Sequence, residues 1–206
     1  HPTRGAGTRP ERMNSPLERR EVRLRALLLE RSFRTGDFVL ASGARSSYYI
    51  DCRTTTTHAE GQALVGRMGL ALLREAGLAP DSVGGLTMGA DPVSYAIAHA
   101  SWLAGDPVNA FTVRKQPKDH GTGKRVEGCF QSGARVVVVE DVITSGKSAL
   151  QACDAVEAEG GTVLAVIALV DREGGGREAV EARGYAVHTI FPVSELLDAA
   201  GAGSAA

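Results

Sequence analysis

Two unbroken apolar runs constrain the fold of this sequence most strongly: "RVVVV" at residues 135–139 and "TVLAVIALV" at residues 162–170. Strands that are covered on both faces have near-continuous Val, Ile and Leu, whereas half-exposed strands alternate apolar and polar residues. Each run is followed by a segment with helical periodicity, at 148–160 and at 176–184. The sequence therefore predicts an α/β protein with an open, mainly parallel twisted sheet flanked by helices.

The residues before these runs predict a helix and a small N-terminal hood in front of the core. Residues 16–32 place leucines near helical spacing between charged residues. Residues 37–53, "DFVLASGARSSYYIDCR", contain two short β-like runs around a turn. The expected parts are a flexible N-terminal extension or cloning remnant, a helix with the hood, the α/β core and a flexible tail, at 1–15, 16–58, 59–198 and 199–206 respectively.

Length, charge and cysteine content exclude several classes of protein. The 206 residues are enough for one domain with a sizeable core. A net charge of −1 without a long basic run argues against nucleic acid or an anionic membrane as the main partner. No apolar stretch reaches the roughly 18 residues of a membrane-spanning helix. Cys52, Cys129 and Cys153 fit neither a disulfide framework nor a zinc site, so we expect reduced thiols in a cytoplasmic protein.

The first candidate site is the segment "EDVITSGKS", which follows the valine run. Its end matches the phosphate-binding P-loop, but the first glycine of that pattern falls on Asp141, beside Glu140. Two carboxylates repel phosphate but accept hydrogen bonds from hydroxyl groups. Since a helix N-terminus binds phosphate, the segment suits a ribose 5-phosphate. The candidate residues are Glu140, Asp141, Val142, Ile143, Thr144, Ser145, Gly146, Lys147 and Ser148.

Two further segments follow predicted strands and therefore lie at the ligand-binding edge of such a sheet. Residues 114–128, "RKQPKDHGTGKRVEG", contain Gly and Pro, which predict a long mobile loop whose cations close over a diphosphate. Arg172 ends the second apolar run and offers a planar fork to a base or a carboxylate. The candidate cations of the loop are Arg114, Lys115, Lys118 and His120.

These motifs resemble those of a known enzyme family. "VVVVEDVITSGKSA" is similar to the 5-phosphoribosyl 1-diphosphate (PRPP) signature of type I phosphoribosyltransferases, and "RKQPKDHG" to the catalytic loop of orotate phosphoribosyltransferases. "FVLASGARSSYYIDCR" resembles the hood of that family, and "LVDREGGGRE" its late strand-end arginine. The resemblance covers roughly residues 17–195. It implies transfer of phosphoribose from PRPP to orotate, giving orotidine 5′-monophosphate and diphosphate, in UMP biosynthesis.

The resemblance also implies roles for individual residues. Glu140 and Asp141 would hold the ribose hydroxyls, and the turn that ends at Ser148 the 5′-phosphate, with Thr144 also near the base. Arg172 would serve orotate together with the hood backbone at Tyr49 and Ile50. The loop cations would serve the diphosphate, and the residues implied in catalysis are Lys115, Lys118, His120 and Asp141.

Further implications concern the cofactor and the assembly. Mg²⁺ would be held mainly by PRPP and water, with no direct protein ligand, and a homodimer would share its active sites through the loops. Ala41 and Gly89 stand where many members of the family have lysine. Two alternatives remain, a phosphoribosyltransferase for another base and a PRPP-binding regulatory protein. A P-loop phosphotransferase is disfavoured by Asp141.

Overall fold

The structure is a computed structural model that describes residues 15–121 and 123–203. The predicted extension, apart from Ser15, and residues 204–206 of the predicted tail lie outside the described residues. The helices and strands of the described part, in chain order, are α1 (Pro16–Arg31), β1 (Phe33–Val39), β2 (Arg45–Ile50), α2 (Arg53–Thr56), α3 (Ala59–Glu75), β3 (Ser82–Leu86), α4 (Ala90–Leu103), β4 (Asn109–Val113), β5 (Val126–Gly128), β6 (Arg135–Ile143), α5 (Lys147–Ala158), β7 (Thr162–Asp171), α6 (Gly176–Ala182), β8 (Val187–Pro192) and α7 (Val193–Gly203).

The central sheet has six strands in the order β5-β4-β3-β6-β7-β8. All neighbouring strands are parallel except β4 and β5, so the predicted mainly parallel sheet is confirmed. Strand β6 lies in the middle and is covered on both faces. Val137 and Val139 pack into the core formed with α1, α3, α4 and α7, while Val136 and Val138 pack into the core formed with α5 and α6. Two-sided burial is the physical reason for the unbroken valine run.

The hood is an antiparallel hairpin of β1 and β2 that follows α1. Phe33 pairs with Ile50, and both side chains are buried. Helix α1 begins with a capping box, in which the Ser15 hydroxyl accepts a hydrogen bond from the Glu18 N–H at 3.1 Å and the Ser15 N–H donates to the Glu18 carboxylate at 3.0 Å. Ser15 therefore caps the helix and does not belong to the predicted extension.

Three elements were missing from the sequence-based expectation: α2, β5 and α7. Strand β5 pairs Val126 with Val113 of β4, so residues 126–128 are an edge strand rather than part of the predicted mobile loop. Helix α7 carries the folded chain to Gly203, beyond the predicted end at residue 198, and Ala200 packs against the core. Short elements and alanine-rich helices give weak periodic patterns, which is why they were missed. Within the described ranges, no helix is long and apolar enough to cross a bilayer.

Candidate active site

The carboxyl end of β6 places two buried acids side by side. Glu140 is 6% exposed, and its Oε1 has no hydrogen-bond partner among the described residues. Burial, with a smaller contribution from the charge of Asp141, raises the pKa of Glu140 to about 8. Burial also raises the pKa of Asp141, although its Oδ1 accepts a hydrogen bond from the Val142 N–H at 2.8 Å. A buried carboxyl group with a free acceptor is suited to bind hydroxyl groups.

The turn between β6 and α5 forms a small cradle directly after these acids. Gly146 has φ 81° and caps α5, and a Cβ added there would lie 2.8 Å from the Gly176 carbonyl oxygen, so the turn requires glycine. Apart from the hydrogen bonds within helices and strands, the described residues provide no backbone acceptor for the N–H groups of Thr144, Ser145 or Gly146. These groups and the helix N-terminus favour an anion. The cradle encloses about 80 Å³ and is lined by Glu140, Val142, Ile143, Thr144, Ser145, Gly146, Lys147, Ser148 and Ala149.

The segment after β2 lies beside the acid pair. The sequence did not predict this proximity. The Arg53 guanidinium donates to the Asp51 carboxylate at 3.0 and 3.1 Å. Its positive charge lowers the pKa of Asp141 and partly offsets the effect of burial. Burial, together with the charges of Asp141 and Asp51, holds the pKa of Cys52 well above its usual value. Residues 51–53, directly after the hood, therefore contribute one cation and one carboxylate to the surroundings of Asp141.

The turn between β3 and α4 also lies against Asp141. A Cβ added at Gly89 would meet the Asp141 Oδ1 at 2.7 Å. The turn is fixed by Asp91, whose carboxylate accepts hydrogen bonds from the hydroxyls of Thr87 at 2.6 Å and Thr112 at 3.0 Å. This close approach is a physical reason for glycine at position 89.

We expect Gly89→Ala to raise the Michaelis constant for PRPP, the substrate that the sequence resemblance implies, by about tenfold, because the new methyl group displaces a carboxylate that accepts a hydrogen bond. Steady-state kinetics at varied PRPP measure this effect. Gly201→Ala is the matched control, since an added Cβ in that part of α7 meets nothing within 4 Å. An unchanged Michaelis constant for Gly89→Ala would mean that the position of the Asp141 carboxylate does not matter for PRPP.

The loop after β4 is closed at its base and attached to the neighbouring strand β5. Arg125 donates to the carbonyl oxygens of Arg114 at 3.1 Å and Lys115 at 3.0 Å. Lys118 forms an ion pair with Glu127 of β5 at 2.8 Å, and Arg114 lies 4.0 Å from the same carboxylate oxygen. Glu127 was not among the residues identified from the sequence. The loop is thus anchored to the edge strand of the sheet.

The structure does not bring all the predicted site residues together. His120 is exposed. Strand β3 separates β4, from which the loop leaves, from β6, which carries the acids. Among residues 15–121 and 123–203, no hydrogen bond or ion pair joins the loop cations to the acid pair or to the phosphate cradle. A ligand that uses both the loop cations and the acid pair must therefore span the position of β3, or be met by a loop that moves.

Arg172 meets the hood through a tyrosine that the sequence did not single out for this contact. Its backbone N–H donates to the Ile143 carbonyl oxygen at 3.0 Å, which places it beside the end of β6. Its Nε donates to the Tyr48 hydroxyl at 3.1 Å. Tyr49 is 44% exposed, and the Ile50 side chain is in the core, so only the backbone of Ile50 is available to a ligand.

The hood, the mainly parallel sheet and the cradle after its central strand define a type I phosphoribosyltransferase fold. No family model matches the chain. The orotate phosphoribosyltransferase of Aquifex aeolicus (strain VF5) is 45% identical over 178 residues, which cover 85% of this chain and 96% of the relative. That of Rhodopirellula baltica is 44% identical over 177 residues, covering 83% and 91%. The chain therefore belongs to the orotate phosphoribosyltransferase family.

Solved structures agree with this assignment. The Mycobacterium tuberculosis H37Rv orotate phosphoribosyltransferase in complex with Fe(III) dicitrate has a TM-score of 0.77 at 42% identity, and the match covers 86% of this chain and 98% of that chain. The same protein in complex with PRPP has a TM-score of 0.72 at 39% identity, with the same coverage. The fold, the hood included, is thus shared with a protein that binds PRPP.

Proposed function

We propose that this protein transfers the 5-phosphoribosyl group from PRPP to orotate, giving orotidine 5′-monophosphate and diphosphate, as a step of UMP biosynthesis in the cytoplasm. The observation that carries the proposal is the adjacency, at the end of β6, of two buried carboxyl groups and a cradle of free N–H groups. That arrangement matches the neighbouring hydroxyl and phosphate groups of a ribose 5-phosphate. Membership in the orotate phosphoribosyltransferase family supports orotate as the acceptor.

The reaction requires charge stabilisation more than proton transfer. Loss of diphosphate from the anomeric carbon builds positive charge on the ribose and negative charge on the leaving group. Glu140 and Asp141 accept hydrogen bonds from the ribose hydroxyls and fix the sugar, while the cradle fixes its phosphate. Orotate is already an anion, so it needs little activation as a nucleophile. Positioning and electrostatics are therefore the main contributions of this chain.

The loop cations Arg114, Lys115, Lys118 and His120 supply the charge that the leaving group needs. A loop that closes over the ligand also excludes water, which would hydrolyse PRPP. Since β3 separates the strand from which the loop leaves from the strand that carries the acids, we propose a homodimer in which each loop closes over the partner's ligand. Such a contact is reciprocal in a symmetric dimer.

The carboxyl groups of Glu140 and Asp141 fit a magnesium ion that arrives with the substrate. Over the described residues there is no group of three or more His, Cys, Asp or Glu that would hold a metal by itself. Mg²⁺ keeps several waters and commonly binds through one or two carboxylates together with substrate phosphates. We infer that PRPP and water hold it, next to Glu140 and Asp141. When bound, the ion supplies Lewis-acid stabilisation of the diphosphate.

The experiment that tests the proposed function mixes the protein with Mg²⁺, PRPP and orotate and follows orotate absorbance. Orotate should be consumed only when PRPP is present, with stoichiometric diphosphate release. A panel of uracil, adenine and hypoxanthine distinguishes a phosphoribosyltransferase for another base. Binding of PRPP without consumption of any base would instead support a regulatory protein.

The raised pKa of Glu140 predicts that PRPP binding releases a proton. The free protein holds this proton up to about pH 8, whereas ribose hydroxyls donate best to the ionised carboxylate. PRPP affinity should therefore rise with pH, by up to about tenfold per unit below pH 7. Calorimetric titrations in buffers of different ionisation enthalpy count the released protons.

Glu140→Gln is the control for this measurement, because it keeps the proton exchange of the PRPP phosphates and removes that of the carboxyl group. The variant should release fewer protons than the wild type between pH 6 and 8, a window that follows from the folded-state pKa of about 8. Equal proton counts for the two proteins would show that Glu140 does not lose a proton when PRPP binds.

A further inference from the structure

The contact between Tyr48 and Arg172 joins the hood to the core at the proposed site. Besides the 3.1 Å hydrogen bond from the Arg172 Nε, the guanidinium carbon lies 4.6 Å from the centre of the Tyr48 ring. The two residues are 124 positions apart in the chain. One side chain thus provides both a hydrogen-bond acceptor and an aromatic face to the same cation.

Tyr48 is itself fixed from the other side. Its ring stacks on Phe33 with centroids 5.5 Å apart and an angle of 18° between the planes, and Phe33 is buried in the core. The Ser46 hydroxyl donates to the Tyr48 carbonyl oxygen at 2.8 Å, which fixes the backbone of β2. A ring held in this way has one orientation, and it transmits that orientation to the guanidinium.

The hydrogen bond to Tyr48 decides which edge of Arg172 remains for a ligand. Arginine binds planar anions either through Nε and one Nη or through its two Nη groups. The first edge is occupied by the tyrosine hydroxyl, and in the described part of the chain neither Nη group of Arg172 has a hydrogen-bond partner. The open fork of Nη1 and Nη2 is therefore the edge that meets the ligand.

We propose that Tyr48 is a positioning residue that selects orotate through Arg172, by holding the Nη fork in the orientation that a planar anion requires. This inference rests on the proposed function, since it takes orotate as the ligand of Arg172. Tyr48 does not touch the reacting atoms. Its effect is on the recognition of the base and not on PRPP, because PRPP meets the end of β6 and the loop.

The test compares Tyr48→Phe with the wild type in steady-state kinetics. Loss of the hydroxyl should raise the Michaelis constant for orotate about three- to tenfold, while that for PRPP stays within about twofold. Tyr185→Phe is the matched control, because it removes a hydroxyl that donates to Glu157 at 2.7 Å outside the proposed site. Thermal melting of both variants checks that the fold is retained.

A double-mutant cycle with Arg172→Ala shows whether Tyr48 acts through the arginine. In the Arg172→Ala background, Tyr48→Phe should change the Michaelis constant for orotate by less than about twofold. If the two substitutions change the Michaelis constant for orotate by factors that simply multiply, the inference is contradicted. It is also contradicted if the wild type is active and Tyr48→Phe has the same Michaelis constant for orotate as the wild type. If the wild type transfers nothing to orotate, the proposed function fails, and this inference fails with it. An active wild type with an unaffected Tyr48→Phe variant contradicts this inference alone, so the two failures are distinguishable.

Discussion

Replacing Lys118 by alanine should lower the turnover number for orotidine 5′-monophosphate formation about 10²–10³-fold, because in the proposed mechanism the ammonium group acts on charge that develops on the departing diphosphate. Orotate binding should change by less than about twofold, since in the proposed mechanism the loop meets the diphosphate and not the base. In the structure Lys118 is paired with Glu127 at 2.8 Å, and the two side chains are 49% and 39% exposed. Exposed pairs contribute little, at most about 1 kcal/mol, so this pair does not prevent the loop from closing.

Glu127→Gln separates the loss of the cation from the loss of its ion pair. The glutamine removes the pair but keeps Lys118, so its turnover number should remain within about threefold of the wild type. Single-turnover measurements with PRPP bound show whether the chemical step is the one affected. Equal turnover in Lys118→Ala and the wild type would remove this lysine from the mechanism. Equal losses in both variants would show that the ion pair, and not the free cation, is what matters.

The sequence predicts the central strands well because strands buried on both faces consist almost entirely of apolar residues. Val137 and Val139 face one core and Val136 and Val138 the other, so no polar residue fits anywhere in the run. The turn of the cradle was also predictable, because its residues are determined by local structure: Gly146 has a positive φ, and the residues after it begin a helix. The acid pair was recognised because it interrupts a known phosphate-binding pattern.

The contacts between distant segments were not predictable in the same way. Tyr48 meets Arg172, and Arg53 lies near Asp141, only because the hood folds against the ends of β6 and β7. Neither contact leaves a periodic signal in the sequence. The sequence does contain one compositional signal for the site. The four lysines of the chain all lie in the loop or in the cradle, at Lys115, Lys118, Lys124 and Lys147. Elsewhere the basic side chains are arginine and histidine.

Mixing two inactive variants, Lys118→Ala and Asp141→Asn, should restore activity if the sites are shared. Asp141→Asn loses a charge-assisted hydrogen bond to a ribose hydroxyl and gains a donor that faces it, so that variant should be severely impaired on its own. In a mixed dimer one site receives both defects and the other receives neither, because the loop of each chain serves its partner. With random exchange about half of the dimers are mixed, and each has one intact site of two, so about a quarter of the wild-type activity should return.

The control is the extent of subunit exchange, measured by native mass spectrometry on one isotope-labelled variant. If mixed dimers form in the expected proportion and the activity stays at the sum of the two variants, each loop serves its own chain. In that case the loop must cross the end of β3 to reach Glu140 and Asp141, which lie on the next strand of the same sheet. The sheet order thus makes the two outcomes mechanistically different. Closure within one chain requires the loop to detach from Glu127 and fold over its own sheet, whereas closure across the dimer leaves β4 and β5 in place.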